Sequence, residues 1–212
     1  MNLIAKVTLV VALLLLAGLG WLAYYAANAP YFTEVGVAKA QMVPFSHQQH
    51  VGGLGLDCRY CHTWVEESNT ASIPSTATCM GCHTQVAPDS PALEPVRHSL
   101  EENKPLEWLR VHDLADYVYF NHAIHVKQGV SCQSCHGRID QMAVVAKAHS
   151  LYMAWCLECH RAPERFIRPR NAVFRMGWQP PAGTDPTTLG KALVAEYGIH
   201  VNQLTNCSIC HR

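Results

Sequence analysis

Between Val7 and Ala27 the chain runs for twenty-one residues without a charge. As a helix, at about 1.5 Å per residue, such a run extends roughly 31 Å, enough to cross the about 30 Å hydrocarbon core of a bilayer. A cleaved secretory signal is the competing reading, because Ala27-Asn28-Ala29 has the small residues of a cleavage site. A signal's apolar stretch is only about 7–15 residues long, however, and Pro30 is a poor residue to follow a cut. The pattern therefore predicts a retained transmembrane anchor over residues 1–29 and a separate domain over residues 30–212. Lys6 precedes the run, which places the N-terminus in the cytoplasm and the domain on the outer side of the cytoplasmic membrane. Trp21, Tyr24, Tyr25, Tyr31 and Phe32 then fall at the outer interface, and Ala17, Gly18 and Gly20 would let a partner helix approach closely.

Beyond the anchor the apolar positions lose a regular period. Four prolines between Val86 and Glu107 predict an irregular surface crossing there, and Pro105 to His112 reads as extended. Arg161 to Gly183, rich in Arg and Pro, reads as loop. Asp185 as N-cap, Pro186 at the first helical position and Gly198 as stop predict a helix over about 186–197. The expected fold is mainly α and irregular, built from short helices and loops.

Cysteine changes the picture. All ten cysteines lie in five copies of Cys-x-x-Cys-His, at Cys58/Cys61/His62, Cys79/Cys82/His83, Cys132/Cys135/His136, Cys156/Cys159/His160 and Cys207/Cys210/His211. The motif is the attachment signature of haem c: two thiols one helical turn apart bond the two vinyl groups, and the adjacent imidazole ligates the iron. Zinc ribbons share the paired spacing but need no His after every second Cys, and the fifth motif has no second pair to close a tetrahedral site. Redox-active disulfides would call for a thioredoxin-like context that is missing here. Five covalently bound haem c groups are expected. The roughly 180 residues after the anchor are too few to build a large aliphatic core among five macrocycles, so the haems themselves must form much of the core. Sixteen basic and sixteen acidic residues balance, which gives no reason to expect nucleic acid.

A repeat appears once the remaining histidines are marked. Phe45-x-His47-x-x-His50 precedes the first motif and Phe120-x-His122-x-x-His125 the third, offset by 75 residues at the Phe and 74 at the first Cys. Each is followed by two motifs, giving haem-pair modules over about 45–83 and 120–160 and a fifth haem at 207–211. Histidines three apart on a helix differ by about 60° in direction, so the two rings of a pair can reach different irons. His47 is expected opposite His62, His50 opposite His83, His122 opposite His136 and His125 opposite His160. For the fifth iron the candidates are Met153 and His149, just upstream of Cys156, with His112, His98 and His200 behind them. A methionine ligand would raise that haem's potential.

Phe-x-His-x-x-His before Cys-x-x-Cys-His resembles the small multihaem cytochromes of the c3/c7 class. A wider set of features, made up of the anchor, the five motifs, Trp108-x-Arg110-Val111-His112 running into Val118-Tyr119-Phe120-Asn121-His122, and Met153-Ala154-Trp155-Cys156, resembles the membrane-anchored pentahaem subunit of alternative complex III. That resemblance implies an electron-transfer subunit of a quinol-oxidising complex, partnered by iron–sulfur and polytopic membrane subunits. It further implies delivery to a soluble cytochrome, a copper protein or an oxidase, and leans towards Met153 as the fifth distal ligand. Two rivals remain on the sequence: an anchored quinol dehydrogenase feeding a periplasmic reductase, and a catalytic multihaem reductase. The second would need an open iron, and no Lys-terminated motif marks one.

Overall fold

The computed structural model describes residues 2–211. Helix α1 (Leu3–Ala27) is the uncharged run extended by one turn through Lys6, capped by Asn2, whose side chain accepts from Ala5 N at 2.9 Å. It has no buried residue and is long and apolar enough to cross a membrane. A single turn, α2 (Pro30–Thr33), follows; Pro30 opens it and Glu34 in the left-handed region (φ 56°) ends it. That reversal sends residues 34–38 across the body of the molecule.

The rest is mostly helical and irregular, with three isolated bridges and no strand among the described residues. Every motif sits on a short helix: α3 (Cys58–Cys61), α4 (Thr76–His83), α7 (Cys132–His136), α8 (Met153–Arg161) and α10 (Cys207–Cys210). One turn of helix brings both thiols of a motif to one side and carries the following histidine round beside them. The first His-x-x-His pair lies at the start of a π-helical turn, Gln48–Gly53, and the second on α6 (His122–Lys127). Helix α9 (Pro186–Glu196) agrees with the expected helix, with Asp185 accepting from Thr188 N at 2.7 Å. It lies so close to the turn at Pro163–Arg165 that a side chain on Gly190 would strike the Glu164 carbonyl.

The expectation of an irregular crossing between Val86 and Glu107 is corrected by α5 (Glu94–Glu102). Pro95 stands in its first turn, where a missing N–H costs nothing, and Asn103 closes it with φ 52°. Val96 and Ser99, three apart, turn one face inward onto Val43 and Met80, with Trp108 and Leu106 packed alongside. A second small cluster joins Val65, Val126 and Val173. Among the described residues ten hydrophobic side chains are buried, none of them aromatic. Tyr60, Trp64 and Met153, all close to a motif in sequence, are exposed, as are Tyr117, Tyr119 and Ile124 around the second His-x-x-His pair.

The two modules embrace reciprocally. Gln48 N, one residue after His47, donates to Met142 O, six residues after His136, at 3.0 Å. Ala123 N, one residue after His122, donates to Ser68 O, six residues after His62, at 3.1 Å. Each module therefore lays its His-x-x-His turn on the segment that follows the other module's first motif. The contact at the first pair is tight: a side chain on Gly52 would strike the Asp140 carbonyl. The duplicated halves are related by an approximate two-fold axis, head to head.

Candidate haem-binding sites

The repeated side chains occupy repeated positions. Phe45 stacks on His50 at 4.4 Å and meets His47 edge-on at 4.9 Å; Phe120 stacks on His125 at 4.4 Å and meets His122 edge-on at 4.8 Å. Nδ1 of His50 donates to Ser46 O (2.9 Å) and Nδ1 of His125 to Asn121 O (2.7 Å), the same i−4 bond in both copies. Each Phe thus splays the two rings of its pair, and the backbone fixes the second ring's tautomer with Nε2 free.

Opposite these rings stand the motif histidines. His47 and His62 have centroids 6.5 Å apart and planes 5° from parallel; His122 and His136 are 6.5 Å apart at 12°. His50 and His83 are 6.1 Å apart, as are His125 and His160. An iron bound by two imidazole nitrogens at about 2.0 Å each would hold ring centroids about 6.3 Å apart. Four pairs at that spacing, beside four thiol pairs, fit haem c. Hydrogen bonding fits as well. His62 Nδ1 donates to Ser72 O (2.6 Å), His83 to Val86 O (2.9 Å), His160 to Leu204 O (2.8 Å), His211 to Tyr117 O (3.2 Å) and His122 to Asn69 O (3.0 Å). With His50 and His125 that makes seven of nine candidate ligand rings tied by Nδ1 to a carbonyl, which orients a ring and raises its basicity at Nε2.

The fifth motif differs. The ring beside His211 is that of Tyr117, at 5.7 Å. His149 is stacked on Trp155 at 4.9 Å, and His98 and His200 are exposed, His98 paired with Glu102 at 3.3 Å. Met153, the first residue of α8, presents its side chain to solvent one turn before Cys156. His112 lies against His136, with centroids 4.2 Å apart and planes at 68°. Burial, then the nearby Lys147, holds its pKa down to about 4; burial, then His112 itself, holds His136 at about 3.

The thiols are unpaired and follow one another through the molecule. The Cys132 thiol beside Cys58 lowers Cys58 to about 7, and the Cys58 thiol in turn raises Cys132. Outward from that contact, burial raises Cys61, with Cys79 and Cys82 in electrostatic reach, and raises Cys135 to about 12, with Cys159 and Cys156 in reach. Burial also raises Cys156, and Cys210 lies near it. In space the motifs therefore run second, first, third, fourth, fifth, with the two-fold junction between first and third.

Residues 118–212 match the family described as cytochrome c7 and related cytochrome c. That segment is a c7-like cytochrome domain. It holds the second His-x-x-His pair and the last three motifs, and the same pattern of residues recurs upstream of it. The chain is 36% identical over 99 residues to the menaquinone reductase multihaem cytochrome c subunit of Nitratidesulfovibrio vulgaris strain Hildenborough, covering 46% of each chain. It thus aligns with about half the length of that relative. What the sequence did not reveal around the c7-like domain is the set of carbonyls behind the histidines and the ring of His112. The carbonyls come from residues up to 94 positions away, and backbone acceptors leave no mark on side-chain identity.

Proposed function

We propose that this protein is a membrane-anchored pentahaem electron relay in a quinol-oxidising complex of the alternative complex III type. Each motif would hold one haem c, its two thiols adding across the two vinyl groups and its histidine binding the iron. His47, His50, His122 and His125 would supply the opposite ligands to the haems of His62, His83, His136 and His160. Met153 would serve the haem of His211, since His149 is engaged with Trp155. Haem c, once bound, supplies a one-electron couple, and the chain sets spacing, ligand basicity and exposure around it. The observation that carries the reading is the four imidazole pairs at 6.1–6.5 Å. A haem closed on both faces binds no substrate, which favours relay over a reductase. The anchor would hold the domain against the outer face of the cytoplasmic membrane, beside iron–sulfur and polytopic membrane subunits, with a soluble cytochrome, copper protein or oxidase taking the electrons.

The similarity to a menaquinone reductase subunit favours a second reading within the same chemistry, in which the relay delivers electrons to quinone. Purification of the native complex with the anchor intact, followed by identification of the co-purifying subunits, decides between them. An oxidase or soluble acceptor supports the first direction, and a periplasmic dehydrogenase the second. For the cofactor, the mass of the denatured chain is expected to exceed the polypeptide by five haems, none extractable with acid–acetone; four haems, or bound zinc, would overturn the reading. Met153→His is expected to lower one midpoint potential and leave the others in place, and an unchanged titration would return the choice to His149.

A further inference from the structure

Two of the nine candidate ligand rings break the carbonyl rule: His47 and His136 each keep a buried Nδ1 without a partner. For His136 the two-fold relation says where the partner belongs. Its counterpart His62 donates to the carbonyl of Ser72, ten residues further on, and ten residues beyond His136 is Ala146. Ala146 is engaged elsewhere. It forms an antiparallel bridge with Ala38, next to Lys147, whose carbonyl takes Gly36 N at 2.8 Å. The segment leaving the anchor has drawn this stretch onto itself, and the ring of His112 lies against His136, with Nε2 buried and also without a partner. An imidazole N–H and an imidazole lone pair are complementary, and leaving both unpaired in the interior is costly.

On the haem reading above, we infer that His112 is a positioning residue for His136: the two rings meet edge-on with no hydrogen bond formed between them in this structure, and a rotation of the His112 ring would bring its Nε2 round to accept the Nδ1 proton of His136 in place of the backbone carbonyl used in the other module. His112 therefore does not serve as an axial ligand, since His136 already faces His122 on its other side. An imidazole is a better acceptor than a peptide carbonyl, so it gives His136 more imidazolate character and favours the ferric state of that haem. The first motifs of the two modules, equivalent in sequence and related by the two-fold, thereby acquire unequal second partners. One is fixed in the backbone and the other is a replaceable side chain.

The test is His112→Phe, which keeps the ring's volume and removes the acceptor, beside His112→Gln, which restores an acceptor oxygen. Both are made in the full-length, haem-loaded chain in detergent. His112→Phe is expected to move one midpoint potential upward and to change the g-values of one low-spin ferric signal, and His112→Gln to move both back towards wild type. Five unchanged midpoints in a fully haem-loaded variant would overturn the inference, as would a new high-spin signal, which would make His112 an axial ligand. If His112→Phe fails to fold, His112→Leu, which also removes the acceptor, decides in its place: an upward shift of one potential supports the inference and five unchanged potentials overturn it. The haem count of the wild-type chain is read first: a motif without haem at Cys132/Cys135 counts against the haem reading itself, whereas unmoved potentials with five haems count against His112 alone.

Discussion

Replacement of His50 by alanine is expected to convert one haem, about one fifth of the total, from low to high spin, and to shift the potential of a second. The same result is expected for His125→Ala. Both rings stand 6.1 Å from a second-motif histidine, and both are locked by the i−4 bond and by the phenylalanine stacked on them. Loss of either ring opens an iron position and frees the phenylalanine, which also braces the first ring of the pair at 4.9 or 4.8 Å. Exchanging His98 or His200, which are exposed and stand opposite no motif histidine, is the control and leaves the spectrum unchanged. Electron paramagnetic resonance and the absorbance near the high-spin charge-transfer region read the outcome. A wholly low-spin His50→Ala protein would mean that the His-x-x-His pair does not bridge two haems.

The second large effect concerns the complex. Membranes lacking this chain are expected to lose quinol-driven reduction of the acceptor down to background while the remaining membrane subunits still bind quinol. The isolated chain is expected to exchange electrons with dithionite and with soluble cytochromes, and to turn over neither quinol nor nitrite. The reason is the proposed closure of each iron on two faces, together with the absence, among the described residues, of a Lys-terminated motif that would mark an open one. Fast quinol oxidation by the purified chain would shift the assignment to an anchored quinol dehydrogenase. Carbon monoxide or nitrite binding to a native ferrous haem would shift it to a reductase.

Much of the chemistry was legible because it is local. Thiol pairs three apart with a histidine beside each pair span five residues, a Phe-x-His-x-x-His pattern spans six, and the ring partners they suggest lie opposite one another in the structure. Helix α9 announced itself through Asp185, Pro186 and Gly198 for the same reason. Helix α5 was hidden by prolines that read as breakers, although Pro95 falls in the first turn, where it is tolerated. The head-to-head embrace could not be read, since it rests on two backbone hydrogen bonds between residues 94 and 55 positions apart, Gln48 to Met142 and Ser68 to Ala123. His112 was legible only as one candidate for the fifth iron, because its contact with His136, 24 positions away, leaves no local pattern in the sequence.

The stretch around Ala146, bridged by Ala38, has a mechanical meaning. A haem domain on a flexible leash sweeps a volume, and each encounter with a partner costs the loss of its orientational freedom. Here the leash is tied down within about a dozen residues of the end of α1: Val35 and Ala38 bridge to Lys147 and Ala146, Glu34 faces both Lys39 (2.6 Å) and Lys147 (3.8 Å), and Tyr152 reaches back to the carbonyl of Ala27 at 3.4 Å. The domain stands on a pedestal rather than swinging from a cord, with the fourth motif, four residues beyond Tyr152, at its foot and the second motif at the far end of the row. Orientation is settled once, during folding, and on the proposed relay function a partner would meet a terminal already turned towards it.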